Sequence, residues 1–200
     1  MLIVVDMQND FCPGGALAVA DGDAILPTIT GLQQRYGQCV LTQDWHPAGH
    51  QSFASSHPGR RVFDSIDMPY GQQTLWPDHC VAGTTGAQFH PALQTGSAVL
   101  VIRKGFRRQI DSYSAFFEND RRTPTGLGGY LRERGMTEVV FCGLAFDYCV
   151  AWSAIDARSL GLDAVVVTDA CRAIDLDGSA GRARDQLLAA GVRLTEAANL

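Results

Sequence analysis

No apolar run in this 200-residue chain approaches the roughly 20 residues that cross a bilayer, so a membrane-spanning helix is not expected. Positive charge is scarce: 16 Lys and Arg stand against 21 Asp and Glu, for a net charge of -5. No basic block or aromatic-interleaved Lys/Arg stretch occurs, which argues against nucleic acid as a partner. The opening LIVV meets Asp6 too early to serve as the core of a secretory signal. Internal repeats and low-complexity tracts are absent. The loop after the first apolar run reads MQNDFCPGG and lacks the GxGxxG geometry of a dinucleotide-binding turn. Cysteine is present six times, yet Cys39 and Cys142 fall inside apolar strand-like runs of a chain without an export signal. The expectation is a cytoplasmic protein with reduced thiols.

What the chain does have is a rhythm of short apolar runs and helical stripes. Met1 to Val5 is an apolar run, and Ile25, Ile29, Leu32 and Tyr36 form a stripe at helical spacing, with Pro27 in the first turn and Gly37 as the stop. Further strands are expected from Cys39, from Ala98, over Glu138 to Cys142, over Ala164 to Val167 ending in Thr168 and Asp169, and at the edge over Val192 to Thr195. Helices are expected around Leu127 to Arg134, from Asp147 to Leu160 and over Ser179 to Ala190. Such alternation predicts an α/β protein: one three-layer α/β/α domain over residues 1–200, with a mainly parallel, doubly wound sheet. Residues 45–96, rich in Pro, Gly, His and Ser, break the rhythm and read as a site-building insertion.

In doubly wound sheets ligands bind beyond the carboxyl ends of the strands, where strand order switches. Asp6, Asp44, Lys104, the Gly143 loop before Cys149, and Asp169 all lie just past an apolar run, and one edge of the sheet is expected to gather several of them in a single crevice. Cys149 lies in the first turn of a helix with Asp147 as a good N-cap, a setting in which backbone N–H groups and the helix dipole favour thiolate and can receive an oxyanion. A lone cysteine there is ordinarily a packing residue. Together with a carboxylate that can take its proton and an ammonium that stabilises the resulting charge, it reads as a nucleophile. The insertion opens with DWHPAGH, where Asp44 and His46 share a face two residues apart. His79 in WPDHC is the natural third ligand, with His50, His57, Cys80 and His90 as competitors. An open three-ligand N/O set suits Zn²⁺, Fe²⁺ or Mn²⁺.

The motifs VVDMQNDFCPGGAL, TQDWHPAGHQSFAS, TLWPDHCVAGTTGAQFHP, the strand-end RKG, DSYSAFF and GLAFDYCV cover essentially the whole chain. On them the sequence resembles the nicotinamidase/pyrazinamidase branch of the isochorismatase-like cysteine hydrolases. The resemblance implies Cys149 as nucleophile, Asp6 as general base and Lys104 as the cation of a triad. It implies one divalent ion, zinc favoured over iron or manganese, on Asp44, His46 and His79. Phe11 and Trp76 match the aromatics that sandwich the ring of a pyridine carboxamide substrate, and Tyr113 matches a pocket-lining position. A cis peptide is implied before Ala145, whose N–H would join that of Cys149 in the oxyanion hole. The implied reaction is nicotinamide hydrolysis in NAD salvage, with pyrazinamide as a second substrate, and a homo-oligomer is compatible with all of it. Phe146 departs from the Thr common in relatives, so that its ring either narrows the pocket or packs beneath the loop, and a further ligand from His50 is left open. A metal-free carbamoyl amidase lacks the ligand set, an isochorismatase acting on a vinyl ether does not fit the cysteine, and a purely structural zinc module would leave Cys149 and Lys104 without a role.

Overall fold

The computed structural model describes residues 1–200. Strand β1 (Leu2–Val5) is followed by helix α1 (Leu26–Tyr36), and β2 (Cys39–Asp44) runs parallel to β1. Pro27 sits in the first turn of α1, where a missing N–H costs nothing, and Gly37 ends it at φ 71°. The insertion contributes a separate antiparallel hairpin, β3 (Ser65–Met68) with β4 (Gly71–Thr74). It is folded onto the domain, since Phe53, Leu75, Trp76, Cys80 and Ala87 are all buried.

The rhythm resumes with β5 (Ala98–Lys104), α2 (Leu127–Glu133), β6 (Glu138–Leu144), α3 (Ala151–Ser159), β7 (Asp163–Arg172), α4 (Ser179–Ala189) and β8 (Arg193–Thr195). The six strands lie in the order β5-β2-β1-β6-β7-β8, and every pairing is parallel. One face carries Ile25 at the start of α1 and Ile29 and Leu32 within it, with Phe11 and Trp76. The other carries Leu127, Leu131, Ala154, Leu187 and their neighbours from α2, α3 and α4. Four inner strands with almost no exposed residue therefore have both faces covered, which is why they read as unbroken apolar runs. Strand order reverses between β1 and β6, so the crevice for a ligand opens beyond their carboxyl ends.

Two local expectations are corrected. Strand β7 does not stop near Val167: the pairing shifts from Phe141↔Val166 to Gly143↔Cys171, and the bulge lets it run on to Arg172. Asp169 is thereby exposed within the strand and accepts the Ala197 N–H at 2.9 Å, away from the crevice. The helix bearing Cys149 starts with a wide π-helical turn over Phe146–Val150. Asp147 makes no side-chain cap there, because its carboxylate serves a distant segment, the turn before α4.

Candidate active site

Backbone geometry at the ends of β1 and β6 brings the chemistry together. Gly143 has φ 115°, and a Cβ on it would stand 2.1 Å from the Val5 carbonyl oxygen, so only glycine lets these strands meet at the switch point. The Leu144–Ala145 peptide that follows is cis, as the resemblance implied. Asp6, just past β1, is held at φ 46° by Thr42, whose hydroxyl accepts the Asp6 N–H at 3.1 Å and donates to Asp6 Oδ1 at 2.6 Å.

Lys104, the last residue of β5 and the only lysine in the chain, is buried at the centre. Its ammonium lies 2.8 Å from Asp6 Oδ2 and 3.3 Å from Cys149 Sγ, pairs with Asp44 Oδ1, and donates to the Ser112 carbonyl at 3.1 Å. Burial alone would lower the Lys104 pKa, but Asp44 and Asp6 outweigh it and raise it well above the ordinary value, so the group is charged. Burial pushes the Asp6 carboxyl up, against the pull of Lys104. Asp44 moves the other way: Lys104 and His46 overcome its burial and hold it well below the usual carboxylate range. The Cys149 thiol is raised well above its ordinary value, chiefly by burial and then by Asp6 and Asp44, with Lys104 opposing. Burial thus opposes the pull toward thiolate that the helix start and Lys104 exert on this sulfur.

Beside this trio, Asp44, His46 and His79 place ligand atoms within 4.8 Å of one another, all buried. Asp44 Oδ2 is 3.6 Å from His46 Nε2 and 3.8 Å from His79 Nε2. Each ring is fixed from behind: His46 Nδ1 bonds the Gly105 carbonyl at 2.9 Å and His79 Nδ1 the Pro77 carbonyl at 2.8 Å. A carbonyl takes the Nδ1 proton, which turns both Nε2 lone pairs toward Asp44, the usual outer-shell arrangement of a metal-binding histidine. Gly105 permits it, since a Cβ there would meet the His46 ring at 2.4 Å. Two imidazole nitrogens and a carboxylate oxygen, each ring held from behind, are donors that zinc, iron and manganese all accept. The donor set fits a divalent ion.

None of the competing ligands joins the Asp44, His46 and His79 set, and His50 groups instead with His46 and Asp111. His50 Nε2 faces the Arg107 and Ile110 carbonyls at 2.9 and 3.1 Å, and its Nδ1 accepts the Ser52 N–H at 3.2 Å. Burial, followed by His46, lowers the His50 pKa. His57 bonds the Gln51 carbonyl, His90 accepts the Ala92 N–H, and the Cys80 backbone is tied to Asp10.

A narrow pocket joins the two clusters. Phe11, Trp76, Tyr113, Ala145 and Cys149 line it together with Asp44 and His79. Trp76 Nε1 donates to the Tyr113 hydroxyl at 3.2 Å, and Tyr148 packs edge-on against both rings. Phe146 does not line this pocket and, half-buried, packs against the core cluster on the α2, α3 and α4 face.

A protein-family model described as the isochorismatase domain matches residues 1–198. The chain belongs to the isochorismatase family. Within it, the chain is 56% identical over 199 residues to a nicotinamidase of Acinetobacter baylyi, spanning 100% of this chain and 93% of that protein. Among solved structures, a nicotinamidase pyrazinamidase of Acinetobacter baumanii superposes with a TM-score of 0.98 at 52% identity, covering 99% of this chain and 96% of that one. A pyrazinamidase of Pyrococcus horikoshii in complex with zinc superposes at 0.79 with 33% identity, over 98% and 97% of the two chains. No helix of this isochorismatase-family chain is long and apolar enough to cross a membrane.

Several residues of the site were not legible from the sequence of this family member. Gln8 pairs with the Asp44 backbone in both directions, N–H and carbonyl each at 2.8 Å, and fixes that carboxylate from β1's side. Leu17, Asp111, Tyr148 and Ile174 line the pocket. Gln8, Leu17, Asp111 and Tyr148 fall inside the quoted motifs but had no role assigned to them, and Ile174 falls in none.

Proposed function

We propose that the chain is a nicotinamidase, a cysteine amidohydrolase that converts nicotinamide to nicotinate and ammonia through a thioester on Cys149. The observation that carries this reading is the buried Lys104 ammonium in contact with both the Asp6 carboxylate and the Cys149 sulfur. Full-length likeness to nicotinamidases supports the substrate.

Phe11, Trp76 and Tyr113 hold the ring. Cys149 attacks the carboxamide carbon while Asp6 takes the thiol proton, a transfer that suits a carboxyl whose proton affinity burial has raised. Proton transfer in step with attack also spares the chain a resting thiolate, in keeping with the raised Cys149 pKa. The N–H groups of Ala145 and Cys149 receive the oxyanion. Asp6 then gives the proton to the amide nitrogen, the C–N bond breaks, ammonia leaves and the thioester remains. Asp6 next deprotonates a water that attacks the thioester, the C–S bond breaks, and the proton returns to sulfur as nicotinate forms. Lys104 stays charged throughout and steadies Asp6 and the sulfur. Asp44, His46 and His79 would hold one divalent ion, zinc favoured over iron or manganese, which when bound supplies a template and Lewis acid for the ring nitrogen. Pyrazinamide carries the same carboxamide on a related ring and is a second substrate in this reading. Six unpaired thiols suit a reducing compartment such as the cytoplasm, where the reaction would serve NAD salvage.

Ammonia release from nicotinamide tests the proposal. Wild type is expected to turn over, and Cys149→Ala to lose on the order of 10⁴-fold or more in kcat, as removal of a nucleophile does elsewhere. Full activity in Cys149→Ala would falsify the mechanism. Full activity after exhaustive chelation would remove the ion's role and leave the nucleophile standing.

A further inference from the structure

The Asp147 carboxylate is a buried group that the reaction above does not use, two residues before Cys149 and outside every ion pair in the structure. Both its oxygens are filled from one segment, the turn between β7 and α4. Oδ1 accepts the Ile174 N–H at 3.0 Å, and Oδ2 accepts the Asp175 N–H at 2.8 Å and the Ser179 hydroxyl at 2.5 Å. The turn adopts a conformation that most residues avoid: Asp175, Asp177 and Gly178 have φ of 57°, 50° and 77°. Such a run persists only where its surroundings enforce it, and a carboxylate accepting three bonds is a strong enforcer. Arg182 holds the outer side through the Asp177 and Leu176 carbonyls.

The residue placed by this clamp is Ile174, whose side chain lines the pocket beside Phe11, Leu17, Trp76 and Tyr148. Strand order shows which wall it forms. Asp44 ends β2 on one side of β6, and the turn after β7 lies on the other. Ile174 therefore closes the pocket across Cys149 from Asp44, His46 and His79. Its side chain has no polar atom, so it discriminates by shape alone.

We infer that Ile174 sets which ring-substituted carboxamides the pocket admits, and that Asp147 is the positioning residue that holds it in place. This deepens the nicotinamidase reading and rests on it. A ring oriented with its nitrogen toward Asp44, His46 and His79 presents its remote carbons to Ile174, and a substituent on those carbons meets the isoleucine first.

The test compares nicotinamide with nicotinamide methylated at ring carbon C4 or C5, by ammonia release from wild type, Ile174→Ala, Asp147→Asn and Ser179→Ala. Nicotinate Kd from tryptophan fluorescence is the second readout. One methyl group in an apolar pocket is worth roughly 10–200-fold in discrimination, so Ile174→Ala is expected to raise kcat/KM of a methylated substrate relative to nicotinamide by about tenfold or more. Its loss toward nicotinamide itself should fall mainly on KM. Asp147→Asn, which sets an amide donor against a backbone N–H, is expected to move the same ratio in the same direction and to weaken nicotinate binding. Ser179→Ala removes one of the three bonds and should give a smaller shift of the same kind, which keeps the clamp testable if Asp147→Asn does not fold. An unmoved ratio in Ile174→Ala overturns the assignment of that wall. A fall in kcat with ratio and Kd unmoved in Asp147→Asn or Ser179→Ala overturns the positioning role. Wild type that releases no ammonia from nicotinamide removes the underlying reading, a result distinct from either.

Discussion

Cys149 stands between one ammonium and two carboxylates, and burial is the largest influence on its thiol, pushing the pKa up while Lys104 pulls it down. A raised thiol pKa means less thiolate at any given pH, so alkylation of Cys149 should be slow at neutrality and accelerate as the solution becomes alkaline. The expected increase is about tenfold per pH unit from pH 7 to pH 9, where thiolate is the reacting form. Iodoacetamide inactivation rates, with the modified peptide identified by mass spectrometry, check this; a plateau below pH 7 would mean that Lys104 dominates. The residues that carry the proposed chemistry were readable because each follows an apolar run, and an apolar run in such a chain is a strand whose end faces the crevice. Gln8 and Thr42 were not readable. Their importance lies in bonds to Asp44 and Asp6, each 36 positions away in the chain, and no local pattern records such a bond.

Strand ends do most of the positioning in this fold, and Gly143 is where two of them come closest. Gly143→Ala sets a methyl group against the Val5 carbonyl at a φ that alanine avoids, a combination expected to cost about 2–6 kcal/mol. Urea unfolding should show the loss, and ammonia release should fall with it because Asp6 and the Ala145 loop are displaced together; wild-type stability would refute the packing argument. Strand and helix existence followed from periodicity almost everywhere, whereas two element details did not. Thr168 and Asp169 look like a strand's end, yet a bulge opposite Phe141–Gly143 carries β7 past them. Asp147 looks like an N-cap, and only the folded chain reveals that Ile174, Asp175 and Ser179 compete for its oxygens and win.

Across the whole molecule, the insertion and the sheet meet at the Asp44, His46 and His79 cluster: Asp44 belongs to β2, while His46 and His79 both come from the inserted segment. An ion bound there would tie the two parts and stabilise the folded chain by mass action, by about 2.7 kcal/mol at a free concentration of 100 times Kd. Metal-free protein titrated with Zn²⁺ should show a rising Tm that His79→Ala abolishes. An unmoved Tm would separate the cluster from metal binding altogether. The insertion's path could not be read beforehand, because its order comes from burial of scattered aromatics and from isolated bridges such as His46↔Val81 and Phe53↔Trp76. Of the 16 basic side chains only Lys104 is a lysine, so the other 15 are arginine, and that one lysine is sealed inside. The outer surface of these residues thus offers no side-chain amine at all: succinimide dyes, aldehyde fixatives and amine-coupled resins would find no lysine to label there and would leave the pocket chemistry untouched.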